Sequence, residues 1–242
     1  MQFEKYRGPI TNRGLTTLFN KRDGIDSIGN LEFLHLTLPE LYGKKLLNVG
    51  IGGGKALEHA LELGLDCCGL DIVPLIDTSD LPLDRKSTVE EQVSEFERVR
   101  SLYPERVKIV DFCTPHIPYD PNEFDVVFSA VALPDYARTE REASISLLNM
   151  MKLAAEQVVF HCGWNPSISE NGLVALGNVP GLFIYRMKDF LDGVGAQTGI
   201  TYKLISSPNS QTSLTTIISI NTHDKDNQAF QAIYDEFTFT SH

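Results

Sequence analysis

Short apolar runs alternate with amphipathic helical patterns through most of the chain, beginning near Lys44. This alternation is typical of strand–helix units that build a largely parallel sheet. It predicts seven strands: Leu46–Gly50, Asp66–Ile72, Arg106–Phe112, Phe124–Val131, Glu156–Cys162, Ile200–Ser206 and Leu214–Asn221. The polar segment SSPNSQTS between the last two is too short for a crossover helix, so it predicts an antiparallel hairpin. The expected fold class is α/β, with a seven-stranded, mostly parallel sheet, a final antiparallel strand and helices on both faces.

Helix start and stop signals place four helices between these strands. They run from Lys55 to a stop at Gly64, from Thr88 to just before Pro104, from Thr139 onward, and from Met187 to about Ala196. The second and third open with threonine followed three residues later by glutamate, the spacing of a capping box. Phe230, Ile233, Tyr234 and Phe237 predict a further helix, which packs on the sheet or on a second subunit of a homodimer.

The chain is expected to have three parts. Residues 1–43 form an N-terminal arm or lid, residues 44–223 a single α/β domain, and residues 224–242 a helical tail. The basic bias of the first 25 residues fits a lid that closes over an anionic acceptor, or a solvated arm that docks on the acidic body. The segments VPLIDTSDLPLDRKS and WNPSISENGLVALGNVPGLFIYR lie outside the alternation and are expected to be loops that contact substrate.

Charge and hydropathy exclude several classes of partner. The chain has 32 acidic and 21 basic residues, a net charge of −11. Such a molecule repels phosphate backbones and anionic lipid surfaces, so neither nucleic acid nor a membrane is expected as a partner. No apolar run approaches the roughly 18 residues of a membrane span, and MQFEKYRGPI lacks the apolar stretch of a signal peptide. A cytoplasmic location is therefore expected.

The four cysteines and six histidines show no metal-ligand spacing. Adjacent Cys67 and Cys68 are expected to point to opposite faces of a strand. The sequence therefore predicts buried reduced thiols and no metal site.

A glycine-rich loop joins the first predicted strand to the first helix, with glycine at positions 50, 52, 53 and 54. Such a loop lets the backbone approach a ligand closely and directs N–H groups at it. Asp71 stands 21 residues after Gly50, at the end of the next strand, where a carboxylate can accept hydrogen bonds from both hydroxyls of a ribose. The spacing does not match a nicotinamide fingerprint, because Lys55 or Leu57 stands at the third glycine. It does not match a P-loop either, because Ala56 follows the lysine.

Over residues 44–223 the chain resembles the class I S-adenosylmethionine-dependent methyltransferases, which have a Rossmann-like fold. The resemblance rests on the order and spacing of the glycine loop, Asp71, Asp111, the segment FDVVFSAVALPDY and the closing hairpin. It implies S-adenosylmethionine as the cofactor. The residues that it implies for cofactor binding are Asn48, Gly50, Gly52, Gly54, Asp71, Ile72, Asp111, Phe112, Ser129 and Ala130.

The same resemblance implies a role for each part of this set. The glycines would line the methionine part of the cofactor, and Asp71 would hold the ribose. Asp111 with Phe112 would address the adenine, while Ser129 with Ala130 would lie beneath the sulfonium. Structural alternatives remain open: a tight turn for the glycines, a helix cap for Asp71 and a turn-forming aspartate at position 111.

One position departs from the family pattern. The family usually has Asp or Glu two residues before the first loop glycine, where this chain has Asn48. Asparagine keeps hydrogen-bonding capacity but lacks the negative charge that favours a sulfonium and an ammonium group. An enzyme with weaker cofactor affinity and a non-catalytic or regulatory binding protein both fit this departure. A third alternative, an aminopropyl transferase, would need carboxylates near the fourth strand beyond Asp135, and the sequence offers few.

The expected activity is methyl transfer to a small-molecule acceptor. Transfer from a sulfonium is an in-line displacement, so the protein chiefly aligns donor and acceptor, and a base is needed only if the acceptor must lose a proton. The catalytic candidates are Asp135 and Tyr136, after the fourth strand, and His161, at the end of the fifth. The alternative interpretations are a turn and helix entry for Asp135 and Tyr136, and a structural half-buried imidazole for His161.

Overall fold

The computed structural model describes residues 34, 36–76, 78–79, 83–130, 132–133, 137, 139–162, 173–176, 183–206 and 216–239. Its strands are β1 (Lys45–Val49), β2 (Asp66–Asp71), β3 (Val107–Ile109), β4 (Phe124–Ser129), β5 (Ala154–Cys162), β6 (Leu173–Leu176), β7 (Phe183–Arg186), β8 (Thr201–Ser206) and β9 (Thr216–Asn221). Its helices are α1 (Leu38–Leu41), α2 (Lys55–Glu62), α3 (Leu83–Leu102), α4 (Glu140–Leu153), α5 (Met187–Thr198) and α6 (Asn227–Phe239), with a 3₁₀ turn at Val73–Leu75.

Seven strands form one sheet in the order β3-β2-β1-β4-β5-β9-β8. The neighbouring pairs from β3 to β5 are parallel, whereas β9 is antiparallel to both β5 and β8. The sequence prediction of a seven-stranded, mostly parallel sheet with a final antiparallel strand is confirmed. Within the sheet, that final strand lies between β5 and β8, and β8 forms the edge.

The order in which the strands are added to the sheet reverses at β1. The chain first adds β2 and β3 on one side of β1, then returns to add β4 and β5 on the other. Leu47 of β1 is paired with Cys68 on one side and with Val127 on the other. In open α/β sheets, ligands bind at the carboxyl ends of the strands where the order reverses. The crevice that begins after Val49 and Ser129 is that position.

Two apolar cores cover the two faces of the sheet, as expected for helices on both sides. One packs α4, α5 and α6 against the sheet and includes Phe124, Leu147, Phe160 and Ile233. The other packs α2, α3 and the segment around α1, and includes Leu34, Leu41, Leu57, Phe96 and Val159. The end of the segment expected as an arm or lid thus contributes to the core, while residues 1–33 lie outside the described ranges.

The C-terminal helical pattern forms helix α6, which packs against other helices of the same chain. It packs on α4 and α5 of the same chain, where the Phe190 and Phe237 rings meet edge to face at 5.5 Å. Because α4 lies between α6 and the sheet, every residue from Ala143 to Met151 is buried. The tail is therefore an additional layer over one face of the sheet.

One predicted helix start needs correction and another is confirmed. Helix α3 begins at Leu83, so Thr88 lies inside it and the predicted capping box there is wrong. Pro82 directly precedes Leu83 in the sequence, and proline is favoured at the start of a helix, where its missing N–H would be unpaired anyway. At α4 the predicted helix start at Thr139 is confirmed, since Oγ1 of Thr139 accepts a hydrogen bond from the Glu142 N–H at 3.1 Å.

The segment after β5 contains a second, two-stranded sheet rather than only loop. Strands β6 and β7 pair in antiparallel register from Leu173↔Arg186 to Leu176↔Phe183. Their sequences, LVAL and FIYR, are rich in β-branched, aliphatic and aromatic residues and are flanked by glycine and proline, which is a hairpin signal. No helix within the described ranges is both long and apolar enough to cross a bilayer.

Candidate functional site

The loop after β1 turns sharply because three of its glycines have positive φ: +80° at Gly50, +55° at Gly52 and +84° at Gly54. Glycine adopts this conformation without the strain that a Cβ adds. The Gly50 N–H donates to the Leu70 carbonyl at 2.9 Å, and the Gly54 N–H donates to the Ile51 carbonyl at 2.9 Å. The predicted tight strand-to-helix turn is therefore present, and it lies at the crevice beside β4.

Asp71, the last residue of β2, ties this loop to the neighbouring strand. Its Oδ2 accepts the N–H of Gly52 at 2.6 Å, and its Oδ1 accepts the N–H groups of Ile72 at 2.7 Å and Val73 at 2.9 Å. Only 8% of the residue is exposed. The carboxylate therefore has a structural role in the loop and in the 3₁₀ turn, whatever ligand it binds.

The electrostatic state of Asp71 reflects two opposing effects. Burial raises its pKa to about 6, while the three backbone N–H groups act in the opposite direction. The group is thus ionised at neutral pH. A carboxylate offers about four acceptor positions, so three donors leave one, on Oδ2, for a ligand hydroxyl. Both hydroxyls of a ribose can bind only if the Gly52 N–H releases Oδ2.

Gly50 lies very close to the turn after β4. A Cβ at Gly50 would lie 2.2 Å from the Cβ of Ala132, which is far inside van der Waals contact. Oγ of Ser129 accepts the Leu133 N–H at 3.1 Å and is completely buried, so it holds this turn. Ala130, the other residue expected beneath the sulfonium, is half-buried. A glycine at position 50 is required by this close approach as well as by its φ.

Side chains of α3 that the sequence interpretation did not single out flank the glycine loop. A Cβ at Gly52 would lie 3.7 Å from the Gln92 carboxamide, and one at Gly53 would lie 3.3 Å from Glu95. Arg98 holds α3 against α2 by pairing with Glu58. No local sequence pattern predicts these contacts, because α2 and α3 come together only when the sheet forms.

Asp111 and Phe112 follow the carboxyl end of β3. Asp71 lies at the carboxyl end of the neighbouring β2, where it is paired with Ile109. Oδ1 of Asp111 accepts the Cys113 N–H at 3.0 Å, and its carbonyl accepts the Thr114 hydroxyl at 2.8 Å. The turn-forming role that sequence left open for Asp111 is therefore present. Phe112 is only 4% exposed and packs in the core.

Asn48 and Ile72 are both placed near the loop. Asn48 lies in β1 between Gly69 and Phe128 and is only 7% exposed. Ile72 is half-buried, and its N–H is one of the three donors to Asp71.

The three catalytic candidates differ in what the structure describes. Asp135 and Tyr136 lie outside the described residues. His161 lies in β5 opposite Ile217 and is buried, with 8% exposure. Burial lowers its pKa to about 4, so the imidazole is neutral at neutral pH. In the described part of the chain, no three His, Cys, Asp or Glu side chains gather as a metal site would require.

No protein-family model matches the chain, and no curated protein matches it. A solved structure named for Zn-dependent alcohol dehydrogenases from Rhodobacter sphaeroides is 15% identical, with 79% of this chain and 88% of that chain covered and a TM-score of 0.50. A 1,6-didemethyltoxoflavin-N1-methyltransferase from Burkholderia thailandensis is 14% identical, with coverages of 82% and 79% and a TM-score of 0.49. An amino pentose methyltransferase from Micromonospora echinaspora is 14% identical, with coverages of 81% and 89% and a TM-score of 0.49.

At such identities a structural likeness concerns the fold alone. The seven-stranded, mostly parallel sheet with the antiparallel β9 is the architecture expected from the sequence. The chain has a Rossmann-like fold.

Proposed function

We propose that this protein transfers a methyl group from S-adenosylmethionine to a small-molecule acceptor. The observation that carries the proposal is the junction of the glycine loop with Asp71. A buried, ionised carboxylate at the end of β2 meets a backbone turn of positive-φ glycines at the crevice where the sheet reverses. Open α/β sheets bind nucleotide-type ligands at this position.

The residues present fit an adenosyl cofactor. Asp71 keeps an acceptor position on Oδ2 that a ribose hydroxyl can use. Glycine at positions 52 and 54 lets the loop backbone approach the amino-acid part closely. Asp111 and the backbone of Phe112 follow β3 at the carboxyl ends of the strands, where the adenine would lie, while the Phe112 side chain packs in the core. When bound, the cofactor would supply a methyl group attached to a sulfonium. The leaving group is a neutral thioether, so it needs no protonation.

The protein's own contribution would be alignment, exclusion of water and, for some acceptors, proton removal. Asp135 and Tyr136, which follow the turn held by Ser129, are proposed to face the acceptor. His161 is neutral at neutral pH and can therefore accept a hydrogen bond or a proton, although burial makes it a weak base. The net charge of −11 disfavours a nucleic-acid acceptor and supports a small molecule.

One observation supports a non-catalytic binding protein as the second candidate. Asn48 is buried at the position where the family usually has a carboxylate, so the crevice lacks that negative charge. Such a protein would bind S-adenosylmethionine or S-adenosylhomocysteine without turnover.

The proposal is tested by incubating the protein with S-adenosylmethionine carrying a trideuterated methyl group and with small-molecule extracts. Mass spectrometry would then detect any product that gains the heavy methyl. We expect a labelled small molecule that the Asp71→Ala variant does not form. The control variant Asp125→Ala, whose carboxylate accepts the Lys45 N–H at the amino-terminal ends of β1 and β4, should still form it. Cofactor binding without a labelled product from any extract would favour the non-catalytic candidate.

A further inference from the structure

A second set of hydrogen bonds fixes the loop that follows β3, and it comes from distant parts of the chain. Nδ2 of Asn149, in α4, donates to the carbonyl groups of Phe112 and Thr114, each at 2.8 Å. Oη of Tyr234, in α6, lies 2.8 Å from the Pro115 carbonyl and 2.8 Å from Oδ1 of Asn149, and shares its proton between them. Two side chains therefore hold three carbonyl groups of one loop.

Both side chains are locked in place by their surroundings. Asn149 is completely buried, and only 4% of Tyr234 is exposed. The ammonium group of Lys152 lies 4.1 Å from the centre of the Tyr234 ring. A buried polar network with its groups satisfied specifies one arrangement, because any displacement leaves a desolvated donor or acceptor unpaired.

The loop depends on this support because the sheet gives it little. Strand β3 has three residues, lies at the edge of the sheet and pairs only with β2. Asp111 immediately precedes the held carbonyls and is bound into the same turn through Cys113 and Thr114. A movement of residues 112–115 would therefore also move the Asp111 carboxylate.

We propose that Tyr234 and Asn149 are positioning residues for recognition of the adenine base. They act through the loop that carries Asp111 and Phe112, and they place the C-terminal helix α6 in control of base selectivity. This inference rests on the proposed function, in which Asp111 and Phe112 address the adenine.

The experiment compares two ligands that differ only in the base, S-adenosylhomocysteine and S-inosylhomocysteine, by calorimetric titration. We expect the unmodified protein to favour the adenine ligand. In Tyr234→Phe, which removes one hydroxyl and keeps the ring, affinity for the adenine ligand should fall about fivefold and affinity for the hypoxanthine ligand should change little. Tyr202→Phe is the matched control, because Oη of Tyr202 donates to Asp192 at 2.8 Å and β8 lies at the opposite edge of the sheet from β3.

Each outcome has a separate meaning. If the unmodified protein binds neither ligand, the proposed function fails. If it binds the adenine ligand and Tyr234→Phe weakens both ligands equally, or neither, the inference is overturned while the proposed function stands. If urea unfolding shows that Tyr234→Phe is not folded, Thr114→Val replaces it. That variant removes the hydroxyl bond to the Asp111 carbonyl, and the same selective loss is expected.

Discussion

The N–H of Gly52 donates to Oδ2 of Asp71 at 2.6 Å and so joins the loop after β1 to the end of β2. The same oxygen carries the acceptor position that remains for a ribose hydroxyl. Ligand binding and the conformation of the glycine loop are therefore coupled through one carboxylate. A ligand that takes both acceptor positions of Oδ2 must displace the Gly52 N–H.

Asp71→Asn should separate shape from charge at this carboxylate. The neutral amide avoids the cost of a buried charge, so the variant should fold. With Oδ1 kept toward Ile72 and Val73, however, its NH₂ group faces the Gly52 N–H, donor against donor. We expect amide hydrogen exchange at Gly52 to accelerate and affinity for S-adenosylhomocysteine to fall at least about tenfold, since hydrogen bonds to charged groups contribute about 1.5–3 kcal/mol.

Asp125→Asn is the matched control for that variant. Asp125 also accepts a backbone N–H, from Lys45 at 2.7 Å, but it lies at the amino-terminal ends of β1 and β4, away from the crevice. Its substitution should leave ligand affinity unchanged. Equal losses of affinity in the Asp71 and Asp125 variants would contradict a specific role for Asp71.

The pKa of Asp71, raised to about 6 by burial, predicts opposite effects of pH on binding and folding. Affinity that requires the carboxylate should fall as pH drops through about 6, approaching tenfold per pH unit. In folding, the native state holds the proton more tightly than the unfolded state. The contribution of Asp71 to stability is therefore present below 3.8, the ordinary pKa of an aspartate, and is lost as pH rises through about 6.

Two measurements over about pH 4–8 check this prediction. Calorimetric titration gives the affinity, and urea unfolding of the unmodified protein and Asp71→Asn gives the stability difference. His161 does not interfere near pH 6, because burial holds its pKa at about 4. An affinity that stays constant through about pH 6 would show that ligand binding does not use the Asp71 carboxylate.

Gly50→Ala should destabilise the protein more than Gly64→Ala. Both glycines have a φ of +80°, so both substitutions bring left-handed strain of about 1–2 kcal/mol. At Gly64 a Cβ has no neighbour within 4 Å, whereas at Gly50 it lies 2.2 Å from the Cβ of Ala132. Adding Ala132→Gly should relieve the collision, because the Ala132 Cα is 3.7 Å away.

A double-mutant cycle in urea measures this contact directly. We expect Ala132→Gly to recover most of the extra loss in Gly50→Ala and none of the loss in Gly64→Ala. If the changes in the free energy of unfolding at positions 50 and 132 are additive, the turn after β4 does not contact the glycine loop closely.

Asn48→Asp distinguishes a site that is competent without a carboxylate at position 48 from a site that has lost an essential charge there. A carboxylate at this buried position should lower the free energy of unfolding, because burying an unpaired charge costs more than burying a neutral amide. If the crevice is competent as it stands, affinity for S-adenosylmethionine should change by less than about threefold. A gain above about tenfold would indicate a site that has lost an essential charge and would favour the non-catalytic candidate.

The parts of the fold that sequence could predict depend on local patterns. Short apolar runs mark the strands of the sheet, so all seven are predictable, with ends differing by a few residues. The cap at Thr139 uses a bond to a residue three positions away. The true start of α3 could not be predicted from the Thr88 pattern, because Leu83, Arg85 and Lys86, which precede it, are also good helix formers.

The candidate site was only partly predictable, for a physical reason. Glycines and Asp71 stand at a recognisable spacing along the chain. The collision at Gly50 depends instead on Ala132, and the support of the Asp111 loop depends on Asn149 and Tyr234. Those contacts exist only after the sheet and the outer helix assemble, so no local pattern marks them.

The most direct test of the proposed function is a calorimetric titration of the full chain with S-adenosylmethionine and S-adenosylhomocysteine, beside Asp71→Ala and the control Asp125→Ala. We predict binding of both ligands in the micromolar range, lost in Asp71→Ala and kept in Asp125→Ala. No binding by the unmodified protein, or undiminished binding by a folded Asp71→Ala variant, would contradict the proposed function.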